Sequence, residues 1–317
     1  MIRRLFLAAL LAVALIPAGT SVAAQSAPPG EMVERTYTND AGTRTYFLYV
    51  PNSGANDNPL MVWLHGCGGP LTMEAGHALA LVAEEEGFTL AYPVQSEDAN
   101  ASQCWNWFED AHQHRDQGEA SIIGGITTSL IDELSVDPDS VYVGGYSAGG
   151  AMSTVMGAAY PDVYAAIAPS AGAPYAFDPS GEAAFVEMGE RARPMPAWIL
   201  QGATDEISIY PIGRANMLQW LGTDDFADDG EDNGSVSRLP SSAEPVVVDT
   251  DLGPLPLTVE HYTTADEACE LGHFLTSPHE HLVNGFLLSE DEGLNLQRLM
   301  LDFLLDHKRG GPGVGCG

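Results

Sequence analysis

The stretch VYVGGYSAGGAM, residues 141–152, decides how this chain folds. A β-branched and aromatic run, Val141 to Val143, meets two glycines, a tyrosine and Ser147, and a run of small residues follows. Gly145-Tyr146-Ser147-Ala148-Gly149 has the form G-x-S-x-G. In the structural version of that pattern a strand gives way at once to a helix, and the serine sits on the sharp turn between them. The hydroxyl is raised above the C-terminal edge of a sheet. The first N–H groups of the new helix have no acceptor within it, so they face whatever the serine attacks. A plain glycine-rich turn carries the same letters. The strand before Ser147 and the helical run from Ser147 to about Ala159 favour the nucleophile elbow.

Outward from this stretch, short apolar strands alternate with helices. Strands are expected at 44–50, 59–66, 88–93, 140–145, 164–172 and 196–202, and helices at 77–87, 118–134, 211–221 and 295–307. Residues 25–35 read as a polar lead-in, 222–235 as a loop without periodicity, and the segments around Gly253-Pro254 as a strand pair. The alternation implies an α/β fold: a mainly parallel central sheet covered by helices on both faces. No linker or change of composition interrupts 36–308, so residues 25–317 read as one catalytic domain.

A serine nucleophile needs a base and an acid that orients it. In elbow folds they follow in the order Ser, Asp or Glu, His. Asp205 lies three residues past Gly202, where a strand is expected to end, and is the expected acid over Asp178 and the run Asp224 to Asp232. The base lies among His261, His273, His279, His281 and His307. His261 falls inside an expected strand and His307 at the end of the closing helix. His273 follows Gly272 in what reads as the loop after the last strand, and it is the expected base, ahead of His279 and His281. His279-Glu280-His281 also has the look of half a metal site, but without a third ligand in evidence it reads as a solvated loop. One oxyanion donor is the N–H of Ala148. The other is expected from the glycine-rich loop WLHGCGG (63–69), at the N–H of Cys67. Trp105 and Trp107 are candidates to line a substrate-binding face. The acidic run Asp224 to Asp232 offers carboxylates to calcium but lacks the full spacing of a calcium loop, so it reads as solvated.

The first residues, MIRRLFLAALLAVALIPAGTSVAA, have a basic start, an apolar run and a small-residue end. They read as a signal peptide cut near Ala24, which implies a secreted protein, extracellular or periplasmic. Four cysteines in an oxidising compartment suggest two disulfides; of three pairings, Cys67–Cys104 with Cys269–Cys316 is expected. The net charge is -32, from 44 acidic and 12 basic residues. Such a surface repels nucleic acid and anionic membranes. It suits high salt and a neutral or polymeric substrate. No obligate protein partner is evident.

Several blocks together resemble the secreted polyhydroxybutyrate depolymerase and feruloyl esterase family of α/β-hydrolases. They are LHGCGG, YPVQS, CWNWF, GEASIIGGI, the long block from Val141 to Tyr175, and QGATD. The match is close over 44–205 and loose over 206–308. The resemblance implies serine hydrolysis of carboxylic esters with no metal or organic cofactor, and the triad Ser147, Asp205 and His273. It supports Cys67 as an oxyanion donor paired with Cys104. It implies a short-chain polyhydroxyalkanoate depolymerase-like enzyme, or alternatively a feruloyl or acetyl-xylan esterase. Two departures stand out. Gln201-Gly202 replaces the family's His-Gly before the acid, and LGHFLTSPHEH differs from its usual block around the base.

Overall fold

The computed structural model describes residues 30–68, 73–248, 254–281 and 294–310. The expected signal peptide and Cys316 lie outside the described residues. Ten strands form one sheet: β1 (Met32–Asn39), β2 (Gly42–Tyr49), β3 (Leu60–Leu64), β4 (Thr89–Val94), β5 (Val141–Tyr146), β6 (Ala166–Ser170), β7 (Ala197–Gly202), β8 (Ser242–Val248), β9 (Leu255–Thr263) and β10 (Glu270–Ser277). Their order is β1-β2-β4-β3-β5-β6-β7-β10-β9-β8. The run from β4 to β10 is parallel, and antiparallel strands flank it on both sides. With helices on both faces, this is the α/β-hydrolase fold.

Central strands are buried on both faces, and their side chains alternate between two cores. Leu60, Val62 and Leu64 of β3 join one, and Met61 and Trp63 the other. The first core is covered by α2 (Gly118–Leu134), α3 (Ala148–Ala159), α4 (Glu182–Met188) and α5 (Tyr210–Asp229). The second is covered by α1 (Met73–Glu86) and α6 (Leu294–Asp306). Every residue of α3 is buried, because it lies against the sheet between α2 and α4. That position explains its small residues: a helix enclosed all round has no polar face to offer.

Three expectations need correction. The lead-in is partly a strand: Met32 to Asn39 pairs along β2 at the sheet's edge. The acidic segment 222–235 is not simply a loop, since α5 continues to Asp229 and Gly230 closes it in a left-handed conformation. Nor is the acidic run wholly solvated, because Asp224 and Asp225 are buried. Asp224 accepts the Met195 N–H at 2.6 Å. Asp225 accepts the N–H groups of Asn233 and Gly234 and the Ser235 hydroxyl, and pairs with Arg238. Asp224 thus ties α5 to the segment before β7 and Asp225 holds the turn after α5, so neither is aimed outward at a cation.

The third correction concerns β10, which was expected as a loop. Gly272 reads as a strand terminator but stands inside the strand. A Cβ there would lie 2.1 Å from Met217 Cε, so the glycine makes room for α5. His273 is therefore a strand residue, opposite His261 of β9 and beside Trp198 of β7.

Candidate active site

Ser147 stands between β5 and α3 at φ 54° and ψ −117°, a conformation that costs about 1–3 kcal/mol and persists only where the surroundings enforce it. Here they do. The Ser147 N–H donates to Ser170 O at 2.9 Å, which ties the turn to β6. The flanking glycines are dictated by contact: a Cβ on Gly149 would lie 1.9 Å from Leu64 O, and one on Gly145 2.5 Å from the same oxygen. Only a backbone without side chains lets α3 start this close to β3.

His281 reaches the serine. Its Nε2 is 3.0 Å from Ser147 Oγ, and its Nδ1 is 2.7 Å from Asp205 Oδ2. Asp205 is 4% exposed and follows the end of β7, as expected. Its Oδ1 accepts the N–H groups of Ile207 and Ser208, each at 2.8 Å, which fixes the carboxylate with Oδ2 toward the imidazole. The other candidate acid, Asp178, accepts the Ala183 N–H in the first turn of α4. Gln201, where the family pattern has histidine, donates from Nε2 to Ser208 O at 2.6 Å and so braces the acid's loop.

The expected base, His273, is not at the serine. Its Nε2 is bonded to Glu270 at 2.9 Å, near the N-terminal end of β10. The rule that the base sits in the loop after the last strand holds, but that loop begins only at Pro278. It is pinned to the acid's loop by Ala203 N–H to Ser277 O at 2.8 Å and Thr204 Oγ1 to Pro278 O at 3.0 Å. The signal for His281 was the apolar pair Phe274-Leu275, which carries the strand on past the glycine. His279 of the same loop is exposed.

The glycine-rich loop after β3 lies against the elbow. A Cβ on Gly66 would be 3.3 Å from Ser147 Cβ, which places Cys67 next to the nucleophile's turn. The loop is held three ways. Cys67 is joined to Cys104, as expected. The Gly68 N–H donates to Ser102 O at 3.0 Å. His65 Nε2 accepts the Gln95 N–H at 2.9 Å, which leaves Nδ1–H to bond Gly66 O at 2.5 Å. Burial pushes the His65 pKa down, so the ring keeps this neutral form. Beneath it, buried Glu119 accepts from Arg44 at 3.1 Å and from the Asn106 backbone N–H at 2.7 Å, fixing the segment that carries Cys104. Cys269 is also in a disulfide. Its expected partner, Cys316, is outside the described residues.

The two tryptophans separate. Trp105 is fully buried, its ring 5.5 Å from His65, so it is core and not a substrate contact. Trp107 is half-buried and packs on Phe177 at 5.2 Å and Phe108 at 5.7 Å. Phe177 and Phe108 are 60% and 50% exposed, in loops at the C-terminal edge of the sheet. This aromatic group was only partly legible, because Phe177 reaches it by a local turn with positive φ at Ala176 and Phe177.

Among the described residues no helix is long and apolar enough to cross a membrane. The chain is 34% identical over 190 residues to poly(3-hydroxyalkanoate) depolymerase C of Paucimonas lemoignei, a match covering 60% of this chain and 46% of that one. It is 36% identical over 141 residues to feruloyl esterase B of Neurospora crassa, covering 44% and 47%. The chain thus spans about half the length of the curated relatives it matches. Among solved structures, the acetyl xylan esterase from Aspergillus awamori superposes with a TM-score of 0.63 at 22% identity, covering 80% of this chain and 95% of that one. The profile of one family, described as Esterase PHB depolymerase, matches residues 44–221. With its elbow, its disulfide-tied loop and more than half its length matched, the chain belongs to the Esterase PHB depolymerase family.

Proposed function

We propose that this protein is a secreted serine hydrolase of carboxylic esters that works through an acyl-enzyme. The observation that carries the reading is the unbroken relay from Ser147 Oγ through His281 to Asp205, at 3.0 and 2.7 Å. Ser147 attacks the ester carbonyl while His281 Nε2 takes its proton. Asp205 holds the ring with Nδ1 protonated and stabilises the imidazolium. The N–H groups of Ala148 and Cys67 receive the oxyanion. His281 then protonates the leaving alcohol, and water activated by the same nitrogen releases the acid.

The favoured substrate is a short-chain polyhydroxyalkanoate, on the strength of the depolymerase relative and of an uncharged polyester's fit to an acidic surface. The Trp107–Phe108–Phe177 group favours a second reading, an aromatic acyl group such as ferulate. The test is a panel of p-nitrophenyl butyrate, amorphous polyhydroxybutyrate and methyl ferulate with three variants. Ser147→Ala and His281→Ala should each lower kcat by at least a thousandfold, and His273→Ala by less than twofold. Activity that survives His281→Ala but not His273→Ala would restore the sequence-based assignment. Clearing of the polymer with release of 3-hydroxybutyrate would select the depolymerase, and ferulate release without clearing the plant-wall esterase.

A further inference from the structure

His273, left without a place in the relay, belongs to another cluster. His261 and His273 are directly opposed in the β9–β10 ladder, so both side chains leave the same face of the sheet; their rings are 4.3 Å apart. Glu270, three residues before His273, would point to the opposite face of a regular strand. A bulge between Glu270 and Gly272 shifts the register and turns its carboxylate onto the histidines' side. Glu270 Oε1 is 2.9 Å from His273 Nε2 and 3.1 Å from His261 Nδ1.

We infer that His261, Glu270 and His273 form a binding site for one zinc-type divalent cation, separate from the serine centre. Two ring nitrogens and one carboxylate oxygen are a zinc donor set, with a fourth position left for water. Zinc–ligand bonds of about 2.0–2.2 Å set neighbouring donor atoms about 3.3 Å apart in a tetrahedron. Glu270 Oε1 therefore needs to part from each ring nitrogen by only a few tenths of an ångström, and all three donor atoms lie within 4.8 Å of one another. The surroundings also suit a metal ligand. His261 turns its other nitrogen, Nε2, toward Glu244 of β8 at 3.6 Å, within ion-pair reach of a carboxylate. The Phe303 ring of α6 backs His273 at 4.7 Å.

The cation would clasp β9 to β10. His273 is four residues, about 13 Å, from Ser277 at the C-terminal end of β10, whereas the relay lies beyond that end. The site therefore adds stability without entering the hydrolysis. The test is calorimetric titration of chelator-stripped protein with ZnCl2 in 1 M NaCl, where loose binding to the acidic surface is screened. One saturable site per chain is expected, with Tm raised by about 5 °C at a hundredfold excess over Kd. His261→Ala and Glu270→Gln should each abolish both effects, and His279→Ala should keep them. Hydrolysis of p-nitrophenyl butyrate by His261→Ala should stay within twofold of the parent. No saturable site, or one that survives both His261→Ala and Glu270→Gln, would overturn the assignment.

Discussion

Asp205→Asn puts the relay to its sharpest test, because the structure dictates how the amide must sit. Asp205 Oδ1 accepts two backbone N–H groups at 2.8 Å. An asparagine oxygen fits there. The opposite orientation would aim the amide NH2 at two backbone donors, and the conflict with the buried Ser208 N–H alone costs about 1–3 kcal/mol. The NH2 group must therefore occupy the Oδ2 position, 2.7 Å from His281 Nδ1. It donates to that nitrogen and forces the ring's proton onto Nε2, the atom that faces Ser147. In that tautomer the imidazole cannot accept the serine proton. The corresponding change in a serine protease triad lowers kcat about 10⁴-fold, equivalent to about 5 kcal/mol of transition-state stabilisation. We expect the same order here, with KM for p-nitrophenyl butyrate little changed and the circular dichroism spectrum intact. A folded Asp205→Asn protein that keeps more than a tenth of the parent kcat would refute the relay.

Three further outcomes follow from other parts of the molecule. The double change Cys67→Ser, Cys104→Ser opens a bridge between residues 37 apart, a loss of about 4 kcal/mol on the chain-entropy account, and kcat should fall with it because Cys67 sits beside the elbow; denaturant titration and initial rates check both. Burial raises the Asp224 pKa well above its ordinary value, more than the Met195 N–H and Arg193 can offset, so its contribution to stability is complete below pH 3.8 and erodes as pH rises through the raised native value. Asp224→Asn should flatten the fall in Tm between pH 4 and 9, and an unchanged slope would count against it. Finally, raising NaCl from 0.1 to 1 M shortens the Debye length from about 10 to about 3 Å, so Tm should rise as repulsion among 44 acidic residues is screened. A lower Tm in molar salt would contradict this.

The elbow and the acid were legible because their requirements are local. A strand, a tight turn and a small-residue helix lie within VYVGGYSAGGAM, and Asp205 follows its strand by three residues. The base was not, because one glycine has two meanings. Gly272 reads as the end of a strand, while its reason is Met217, a residue more than fifty positions away whose side chain needs the space. That misplaced the strand end by five residues and moved the expected base from His281 to His273. The acidic segment failed similarly. Charge argues for solvent until a tertiary partner appears, and the partners of Asp224 and Asp225 come from Met195 and the chain after α5. Trp105 and Trp107 look equivalent in CWNWF, and they are told apart only by tertiary contacts: Trp105 is buried beside His65, while Trp107 packs on Phe177.

The order of the strands has one more consequence, for how copies of this protein behave when crowded. An open sheet ends in strands whose outer backbone groups can recruit a foreign strand, the route by which folded chains coalesce edge to edge. β8 is such an end. It carries Pro245 at its middle, which has no N–H to offer a newcomer, beside exposed Glu244. A second chain laid along this edge would lose a rung of its ladder and bring its own acidic surface against a carboxylate. The outermost strand thus completes the sheet while discouraging its extension, which guards a β-rich chain against self-association.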